Sequence, residues 1–538
     1  MQVLQERLFT VEELCDIRGS VARQCPIFTN LSNDHKTSGL PSDLNIPNAI
    51  PSTMMRPAFS AARASTRIWQ CPWYPYRVRT FRSLARHNNE AATQTHRSHE
   101  HTSQRISPRW NNGVTLTIQG SPHQVSPYLL RDMCRCERCV DPSTRQKLFL
   151  TTDIPNDITA KQVEVDGDNA HIEWNNDIET SHSSHRTTIS IPDVARLAGL
   201  TQTQAVSSLP ERVTWTDEQF RRDTVDIPFD AYMQDDSTLL RVLNQLQTRG
   251  LAFLTGVPGT AESVSQIAER IGPLKNTFYG STWDVRSVPQ AKNVAYTSQD
   301  LGFHMDLLYM HQPPHLQFLH CIRSSAAGGA SLFTDSYRTV QDLVHNHHIQ
   351  LLDLTEYEAS YHYNHMETDY YHQSRPVIEM KPFKYQGTVT QSWKSLATIK
   401  SDHSKRKEAR AYLLEHIVEY IDSVAWSPPF QAPFQLSDSR SSSARDGGKI
   451  MGLSNHVRKW LKAARAFNEF IHRPEVIYER MMKPGECVLF DNRRVLHARK
   501  AFEVGDQGKE RWLRGAYLDR DPFESKLRVL QKRFAQEK

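Results

Sequence analysis

The stretch DLGFHMDLLYMHQPPHLQFLHCIRSSAAGGASLFTDSY, Asp300 to Tyr337, contains two short apolar runs and a histidine–aspartate pair in an apolar setting. The runs LQFLHCI and ASLFTDS are separated by small residues and glycine, a pattern typical of two strands joined by a turn. His304 and Asp306 are two residues apart, and side chains at i and i+2 of a strand share a face. On one short strand, both could therefore reach a single metal ion.

Similar short runs recur along the chain, namely NVAYTSQ, GECVLFDN and RWLRGAYLD. They predict an all-β sandwich or barrel core. The segment DDSTLLRVLNQLQTRGLAFLTGVP predicts an amphipathic helix that ends at Gly250 and is followed by a buried strand. ESVSQIAERIGPL and ARAYLLEHIVEYIDSVA predict further helices. The predicted fold class is therefore mainly β with flanking helices, α+β.

The chain has 538 residues, enough for two or three domains with sizeable cores. No run of eighteen apolar residues occurs, so we predict no membrane span. The formal net charge is +5. Much of the basic excess precedes residue 110, which argues against a nucleic-acid-binding surface, and we expect no nucleic-acid partner.

The N-terminal hundred residues show no helical or strand periodicity. Residues 1–54 contain a stretch rich in Pro, Ser and Asn, which predicts a disordered segment or a gene-model extension. Residues 55–108 begin with an arginine-rich stretch, 55–89, that has no acidic residue, as in a mitochondrial transit peptide. We predict a mitochondrial location, with a disordered basic tail on a cytoplasmic protein as the alternative.

Three of the eight cysteines stand together at Cys134, Cys136 and Cys139. Zn(II) prefers four nitrogen or sulfur ligands in a tetrahedron, and the chain is too long and cysteine-poor for a disulfide framework. The fourth ligand should be a nearby histidine: His171, His182 or His185. A strand at 172–174 followed by a turn would return His182 to the cysteine loop. Three thiols without a metal are the alternative interpretation.

The His304–Asp306 pair taken alone would more often be an ordinary polar pair. A facial triad of two histidines and one carboxylate needs a second histidine, usually far along the chain. His497, in VLHARKAF, supplies one, and Arg511 follows in RWLRGAYL. A guanidinium can bind a carboxylate co-substrate with two parallel hydrogen bonds. This combination is the arrangement of 2-oxoglutarate-dependent iron oxygenases.

From about Val114 to Leu530 the sequence resembles the γ-butyrobetaine dioxygenase and trimethyllysine dioxygenase branch of the taurine-dioxygenase-like superfamily. The motifs that carry the resemblance are YLLRDMCRCERC, FYGSTWDV, NVAYTSQDLGFHMD, PPHLQFLHCI, GGASLFTDSY, VLHARKAF and RWLRGAYLD. It implies a zinc-bearing N-terminal domain, 109–208, and a double-stranded β-helix (jelly-roll, cupin-like) catalytic domain, 209–538. It also implies a homodimer.

The same resemblance implies cofactors and their ligands. By position, the iron ligands for Fe(II) are His304, Asp306 and His497, the residues that hold 2-oxoglutarate are Asn293 and Arg511, and the zinc ligands for Zn(II) are Cys134, Cys136, Cys139 and His182. Ascorbate would support the activity.

A quaternary ammonium group has no N–H to donate, so proteins recognise it through aromatic faces. Tyr279, Trp283, Tyr296 and Tyr517 match the walls of the family's trimethylammonium cage. Any one of these aromatic residues could instead be ordinary core packing. All four at matching positions favour a cage.

The resemblance implies hydroxylation of a trimethylammonium substrate, first γ-butyrobetaine to L-carnitine in carnitine biosynthesis. Asn293 in NVAY favours this reaction over the alternative, trimethyllysine hydroxylation. The segment HMDLLYM, beside the expected iron site, differs from both enzymes. A catalytically dead, zinc-dependent binding protein is the alternative from a different class.

Overall fold

A computed structural model describes most of the chain after residue 112. The described residues are 113–178, 185–200, 209–286, 297–325, 327–385, 388–390, 408, 411–412, 414–435, 446–503 and 511–536. The predicted disordered segment, 1–54, and the transit-like segment, 55–108, lie outside them.

The N-terminal part contains a hairpin and a three-stranded antiparallel sheet. The hairpin pairs β1 (Val114–Ile118) with β2 (Ser121–Val125), and the sheet has the order β3 (Ala160–Asp166), β4 (Asn169–Trp174), β5 (Arg186–Ser190). Helices α1 (Pro127–Asp132) and α2 (Ile191–Leu197) accompany them. Alternating buried side chains of β1 and β4, with Leu130 and Val194, form a core of their own.

The C-terminal part is built on two sheets. The strands that form them are β6 (Ile227–Pro228), β7 (Leu251–Thr255), β8 (Thr282–Arg286), β9 (Leu301–His304), β10 (Leu316–Arg323) and β11 (Ser331–Asp335). Four more strands of these sheets follow later in the chain, after a segment that carries β12–β17: β18 (Ile477–Arg480), β19 (Glu486–Asp491), β20 (Val495–Arg499) and β21 (Trp512–Leu518). One sheet has the order β6-β7-β19-β10-β21-β8 and the other β18-β11-β20-β9. Aromatic side chains such as Phe253, Phe333 and Phe490 pack together in one core cluster drawn from both sheets.

Between β11 and β18, the described residues form three antiparallel strand pairs. They are β12 (Glu358–His365) with β13 (Asp369–Pro376), β14 (Ile378–Met380) with β17 (Ile421–Val424), and β15 (Phe383–Tyr385) with β16 (Thr388–Thr390). The segment ARAYLLEHIVEYIDSVA was predicted to be helical throughout. Its last part is instead strand β17, because Ile421 and Val424 pair with β14 and are fully buried.

Helices pack on both sheets. They are α3 (Asp217–Asp223), α4 (Phe229–Gln234), α5 (Asp236–Arg249), α6 (Ser263–Glu269), α7 (Ser336–Asn346), α8 (His348–Glu356), α9 (Ile417–Tyr420), α10 (Asp446–Ile471) and α11 (Arg520–Gln536). Side chains of α4, α5, α6 and α11 share a core cluster with the six-stranded sheet, and α7, α8 and α10 share another with the four-stranded sheet. None of the described helices is both long and apolar enough to cross a bilayer.

Helix α5 shows how local sequence sets these boundaries. The Asp235 side chain caps its N terminus by accepting from the backbone N–H groups of Ser237 and Thr238, at 3.0 and 2.9 Å. Gly250 ends the helix with a φ of 77°, a left-handed conformation that glycine adopts without strain. The predicted helix and the buried strand after it are therefore confirmed.

A buried ion pair joins Asp335, at the end of strand β11, to Arg494, in the turn between β19 and β20. The Arg494 guanidinium donates to both carboxylate oxygens of Asp335, at 3.0 and 2.8 Å, with both side chains almost wholly inaccessible. It also donates to the carbonyls of Thr248 and Val213, each at 2.7 Å. These four hydrogen bonds use all three nitrogen atoms of the guanidinium.

Replacing Arg494 by methionine should lower the free energy of unfolding by about 3–5 kcal/mol, because the Asp335 carboxylate would stay buried without a partner. Urea denaturation followed by fluorescence measures this change. Lys500→Met is the matched control, since the Lys500–Glu479 pair is about half exposed on both sides. Equal stability of the two variants would contradict the assigned role of Arg494.

Candidate active site and cysteine cluster

Two strands far apart in the sequence bring two histidines together. In the antiparallel pairing of β20 with β9, His497 stands directly opposite His304. The two imidazole rings lie 4.1 Å apart between centroids. Together with Asp306 they offer three ligand atoms that lie within 4.8 Å of one another. The structure thus brings together the three residues predicted as iron ligands.

The orientation of both imidazoles suits metal binding. His304 Nδ1 lies 2.9 Å from the Gly302 carbonyl, which can only accept, so Nδ1 carries a proton and Nε2 is turned toward Asp306. Burial, reinforced by the charge of His304, lowers the pKa of His497 to about 3, so His497 is neutral at physiological pH. One of its ring nitrogens, Nδ1, is buried without a hydrogen-bond partner.

Asp306 does not lie on the strand, in contrast to the prediction that one short strand presents both residues. Strand β9 ends at His304, and Asp306 lies in the turn that follows. Leu307 there has a φ of 60°, a left-handed conformation that is costly for a leucine. Asn492 holds the turn, because its amide accepts from the Asp306 N–H at 2.8 Å and donates to the Asp306 carbonyl at 3.0 Å.

The carboxyl group of Asp306 is held in its ionised form. Burial by itself raises the pKa of a carboxyl, but the hydrogen-bonding contact with His304 and the attraction of the two histidine side chains outweigh it and keep the pKa of Asp306 well below its ordinary value. The closest approach to His304 is 3.4 Å, between Asp306 Oδ1 and Nε2. Two imidazoles beside a carboxylate are the donor set of a divalent metal site.

Two buried arginines line the same pocket. Arg511 is 6% exposed, and among the described residues no carboxylate forms an ion pair with it. Burial, followed by the charge of Arg499, lowers the pKa of Arg511 to about 10. Arg499 donates to the carbonyls of Thr297 and Gln299, at 2.8 and 2.6 Å. Both guanidinium groups stay charged at neutral pH, so this side of the pocket favours an anion.

Aromatic side chains line another part of the pocket. Tyr279, Trp283 and Tyr517, three of the four predicted cage residues, all face it. Trp283 stacks on Tyr517 with ring centroids 3.9 Å apart and planes 21° apart. Gly515 permits this, because a Cβ at that position would lie 2.4 Å from the indole ring.

Two predicted site residues, Asn293 and Tyr296, lie outside the described residues. Sequence reasoning missed several pocket residues, among them Gln317, Tyr309 and Arg499. Arg499 could have been predicted from the sequence, because it follows His497 by two positions on a strand and so shares its face. Gln317 could not, since nothing in LQFLHCI distinguishes its position from that of an ordinary buried strand residue.

The second cluster is formed by Cys134, Cys136, Cys139 and His185. The His185 Nε2 atom lies 3.4, 3.4 and 3.3 Å from the three sulfur atoms in that order. A tetrahedral Zn(II) with ordinary bond lengths would separate sulfur and nitrogen ligands by roughly 3.5 Å. His185 Nε2 therefore already lies at the distance from each sulfur that zinc requires, and the four donor atoms lie within 4.8 Å of one another.

His185, and not the predicted His182, completes this cluster, while His182 lies outside the described residues. The physical reason is Asp177, whose Oδ2 accepts from His185 Nδ1 at 2.9 Å and so turns Nε2 toward the sulfurs. This hydrogen bond raises the pKa of His185 to about 10, although burial opposes it. Arg131 donates to Asp177 and, at 3.4 Å, to the sulfur of Cys139.

Comparison with known families agrees with this geometry. Residues 211–517 match the taurine catabolism dioxygenase TauD, TfdA family, and residues 95–186 match the gamma-butyrobetaine hydroxylase-like N-terminal family. The chain therefore belongs to the TauD/TfdA family of Fe(II)- and 2-oxoglutarate-dependent dioxygenases. The resemblance that the sequence motifs carried is confirmed, and the jelly-roll core agrees with the family.

Three relatives place the chain within this family. It is 31% identical to Dioxygenase str8 of Strobilurus tenacellus, over 75% of this chain and 84% of the relative. It is 28% identical to a gamma-butyrobetaine dioxygenase of a Pseudomonas species, over 78% of this chain and 94% of the relative. It is 24% identical to a mitochondrial trimethyllysine dioxygenase of Gallus gallus, over 74% and 82%.

Proposed function

We propose that this protein is a 2-oxoglutarate-dependent dioxygenase that hydroxylates a trimethylammonium substrate, first of all γ-butyrobetaine to L-carnitine. The observation that carries the proposal is the convergence of His304, Asp306 and His497 in a pocket that also contains Arg511 and three cage aromatics. His304, Asp306 and His497 would hold Fe(II). When bound, Fe(II) supplies the activation of dioxygen, for which the triad leaves three coordination positions open.

The arginine side of the pocket is assigned to 2-oxoglutarate. A buried guanidinium without a counter-ion is costly, and a second positive charge nearby raises that cost. A dicarboxylate co-substrate removes the cost by pairing with Arg511, and its charge is further offset by Arg499. The same two charges would repel a cationic substrate, so they separate the two ligands within one pocket.

The aromatic side is assigned to the trimethylammonium group. Tyr279, Trp283 and Tyr517 present π faces to the pocket, and Tyr309 and Phe430 add two more. Cation–π attraction is strongest where the cation is desolvated, as it would be here. Fixing one end of the substrate on this wall decides which carbon lies nearest the metal ligands, and so sets the position of hydroxylation.

γ-Butyrobetaine is the first choice, and trimethyllysine the alternative. The identity to a gamma-butyrobetaine dioxygenase, 28%, exceeds that to a trimethyllysine dioxygenase, 24%, over a similar share of the chain. The Asn293 motif points the same way. Leu307 and Tyr309, in the segment that differs from both enzymes, line the pocket, so a related trimethylammonium compound is a third candidate substrate.

We also propose that Cys134, Cys136, Cys139 and His185 hold a structural Zn(II). Three thiolates and one imidazole close the coordination sphere, which leaves no open position for catalysis. Arg131, which is almost wholly buried, would offset the excess negative charge of three thiolates on one divalent ion. Mitochondrial import and homodimer formation stay predictions of the sequence.

The deciding assay measures succinate formed from 2-oxoglutarate with Fe(II) and ascorbate, in separate reactions with γ-butyrobetaine, trimethyllysine and taurine. We expect succinate and hydroxylated product in equal amounts with γ-butyrobetaine, and His304→Ala should reduce both to the rate without enzyme. His472→Ala, an exposed histidine outside the pocket, is the control and should keep the parent rate. Succinate with none of these substrates would favour the dead binding protein.

The aromatic wall is tested by Trp283→Leu, assayed with γ-butyrobetaine and with its neutral isostere, in which a tert-butyl group replaces trimethylammonium. We expect the KM for γ-butyrobetaine to rise about 30-fold, which corresponds to a desolvated cation–π contact of about 2 kcal/mol. The KM for 2-oxoglutarate should stay within about two-fold. An equal loss for the charged and the neutral substrate would refute the cation–π assignment.

The zinc proposal is tested by elemental analysis after gel filtration. We expect one zinc per chain in the parent protein and a large loss in Cys136→Ser, because a hydroxyl is a poor substitute for a thiolate. Cys321→Ala removes a buried thiol outside the cluster and should leave the zinc content unchanged. Full zinc content in Cys136→Ser would contradict the assignment.

A further inference from the structure

One oxygen of Asp306 is occupied by two hydrogen-bond donors. The Gln317 amide donates to Asp306 Oδ2 at 2.7 Å, and the Tyr517 hydroxyl donates to the same oxygen at 2.7 Å. Gln317 and Tyr517 stand directly opposite each other in the pairing of β10 with β21. The six-stranded sheet therefore directs two adjacent donors at one atom of the turn that follows β9.

The second oxygen, Oδ1, is the one that approaches His304 Nε2. Apart from this histidine, no donor to Oδ1 is found among the described residues. The peptide groups of Asp306 are held separately by Asn492. The backbone and one carboxylate oxygen are thus fixed, and the other oxygen is left facing the two imidazoles.

The Gln317 side chain makes no hydrogen bond other than the one to Asp306 among the described residues. It is 2% exposed, its amide oxygen is buried without a hydrogen-bond partner, and its one side-chain hydrogen bond in the described structure goes to Asp306. A buried amide that leaves half of its capacity unused is costly. A leucine would fill a strand position in this core without that cost. The hydrogen bond to Asp306 is what the glutamine adds.

We propose that Gln317 and Tyr517 are positioning residues that keep Asp306 a ligand through one oxygen only. The inference rests on the proposed function. A carboxylate can bind a metal through one or both oxygens, and a second bond would take a position that 2-oxoglutarate or dioxygen needs. Here a second bond would require Oδ2 to lose two charge-assisted hydrogen bonds in a buried site. The two donors therefore protect the open coordination positions.

Tyr517 also links this arrangement to the aromatic wall. Its ring stacks on Trp283, and its hydroxyl donates to Asp306, so one side chain contacts both the indole and the carboxylate. A substrate cation bound at this wall would contact Tyr517, whose hydroxyl contacts the proposed metal ligand Asp306. Tyr517 thus serves substrate binding through its ring and metal binding through its hydroxyl.

The two roles are separated by Tyr517→Phe, which keeps the ring, and Gln317→Leu, which keeps the volume. Mn(II) serves as a redox-inert probe, and the binding of Mn(II), and then of 2-oxoglutarate to the Mn(II)-loaded protein, is titrated without turnover. We expect each variant to bind Mn(II) about 10-fold more weakly, as is usual when a hydrogen-bond partner of a metal ligand is lost. Affinity for 2-oxoglutarate should fall as well.

Tyr232→Phe is the matched control. Its hydroxyl is buried and donates to the Ile267 carbonyl at 2.9 Å in the core cluster that the helices form with the six-stranded sheet. It loses the same kind of bond as Tyr517→Phe, and its affinity for Mn(II) and 2-oxoglutarate should equal that of the parent. A drop in all three variants would mean that lost stability is the cause, and would overturn the inference.

Two further outcomes distinguish this inference from the proposed function. If the parent and both site variants bind Mn(II) and 2-oxoglutarate within about two-fold of one another, the positioning role is refuted while the metal site stands. If the parent binds no Mn(II) and His304→Ala changes nothing, the proposed function fails, and this inference fails with it. Should Gln317→Leu not fold, Tyr517→Phe alone decides.

Discussion

The site depends on one strand pairing, the antiparallel contact of β20 with β9, which places His497 opposite His304. The two residues are far apart in the sequence, so only a fixed register brings their rings together. A slip of one residue would turn every side chain of one strand to the other face. Strand β9 opposes that slip, because Leu301 and Phe303 are buried while the intervening Gly302 is exposed. The hydrophobic pattern that forms the sheet also places the proposed metal ligands.

In the turn after β9, contacts of single residues, and not strand pairing, set the position of Asp306. Asp306 reaches the imidazoles because the chain leaves the strand and Leu307 takes a left-handed conformation. Such a leucine persists only where its surroundings over-determine it. Asn492 does so through two hydrogen bonds to the peptide groups of Asp306, from the turn between β19 and β20. The segment that carries His497 therefore also positions the carboxylate.

Much of the fold and of the site could be predicted from the sequence, because strands, helices and ligands leave local patterns. Cys134, Cys136 and Cys139 are recognisable from spacing alone. The choice between His182 and His185 was not predictable, because it depends on Asp177, whose role appears only once the chain is folded. The same holds for Gln317 and Asn492, since a buried amide is marked by the group it contacts in space. Strand β17 was missed because pairing with β14 outweighed a helical pattern.

The charges around the pocket explain why the proposed cation site would be aromatic. A carboxylate would attract a trimethylammonium group more strongly in vacuum, but in this pocket it would face Arg499, Arg511 and the imidazoles of the proposed metal site. It would pair with an arginine or bind the metal, and so displace the co-substrate. The face of an aromatic ring attracts a cation without carrying a net charge, so it leaves the guanidinium groups and the ligand set free. Tyr517 fits this logic, because the polar atom of its side chain donates to Asp306 and its ring is left to line the pocket.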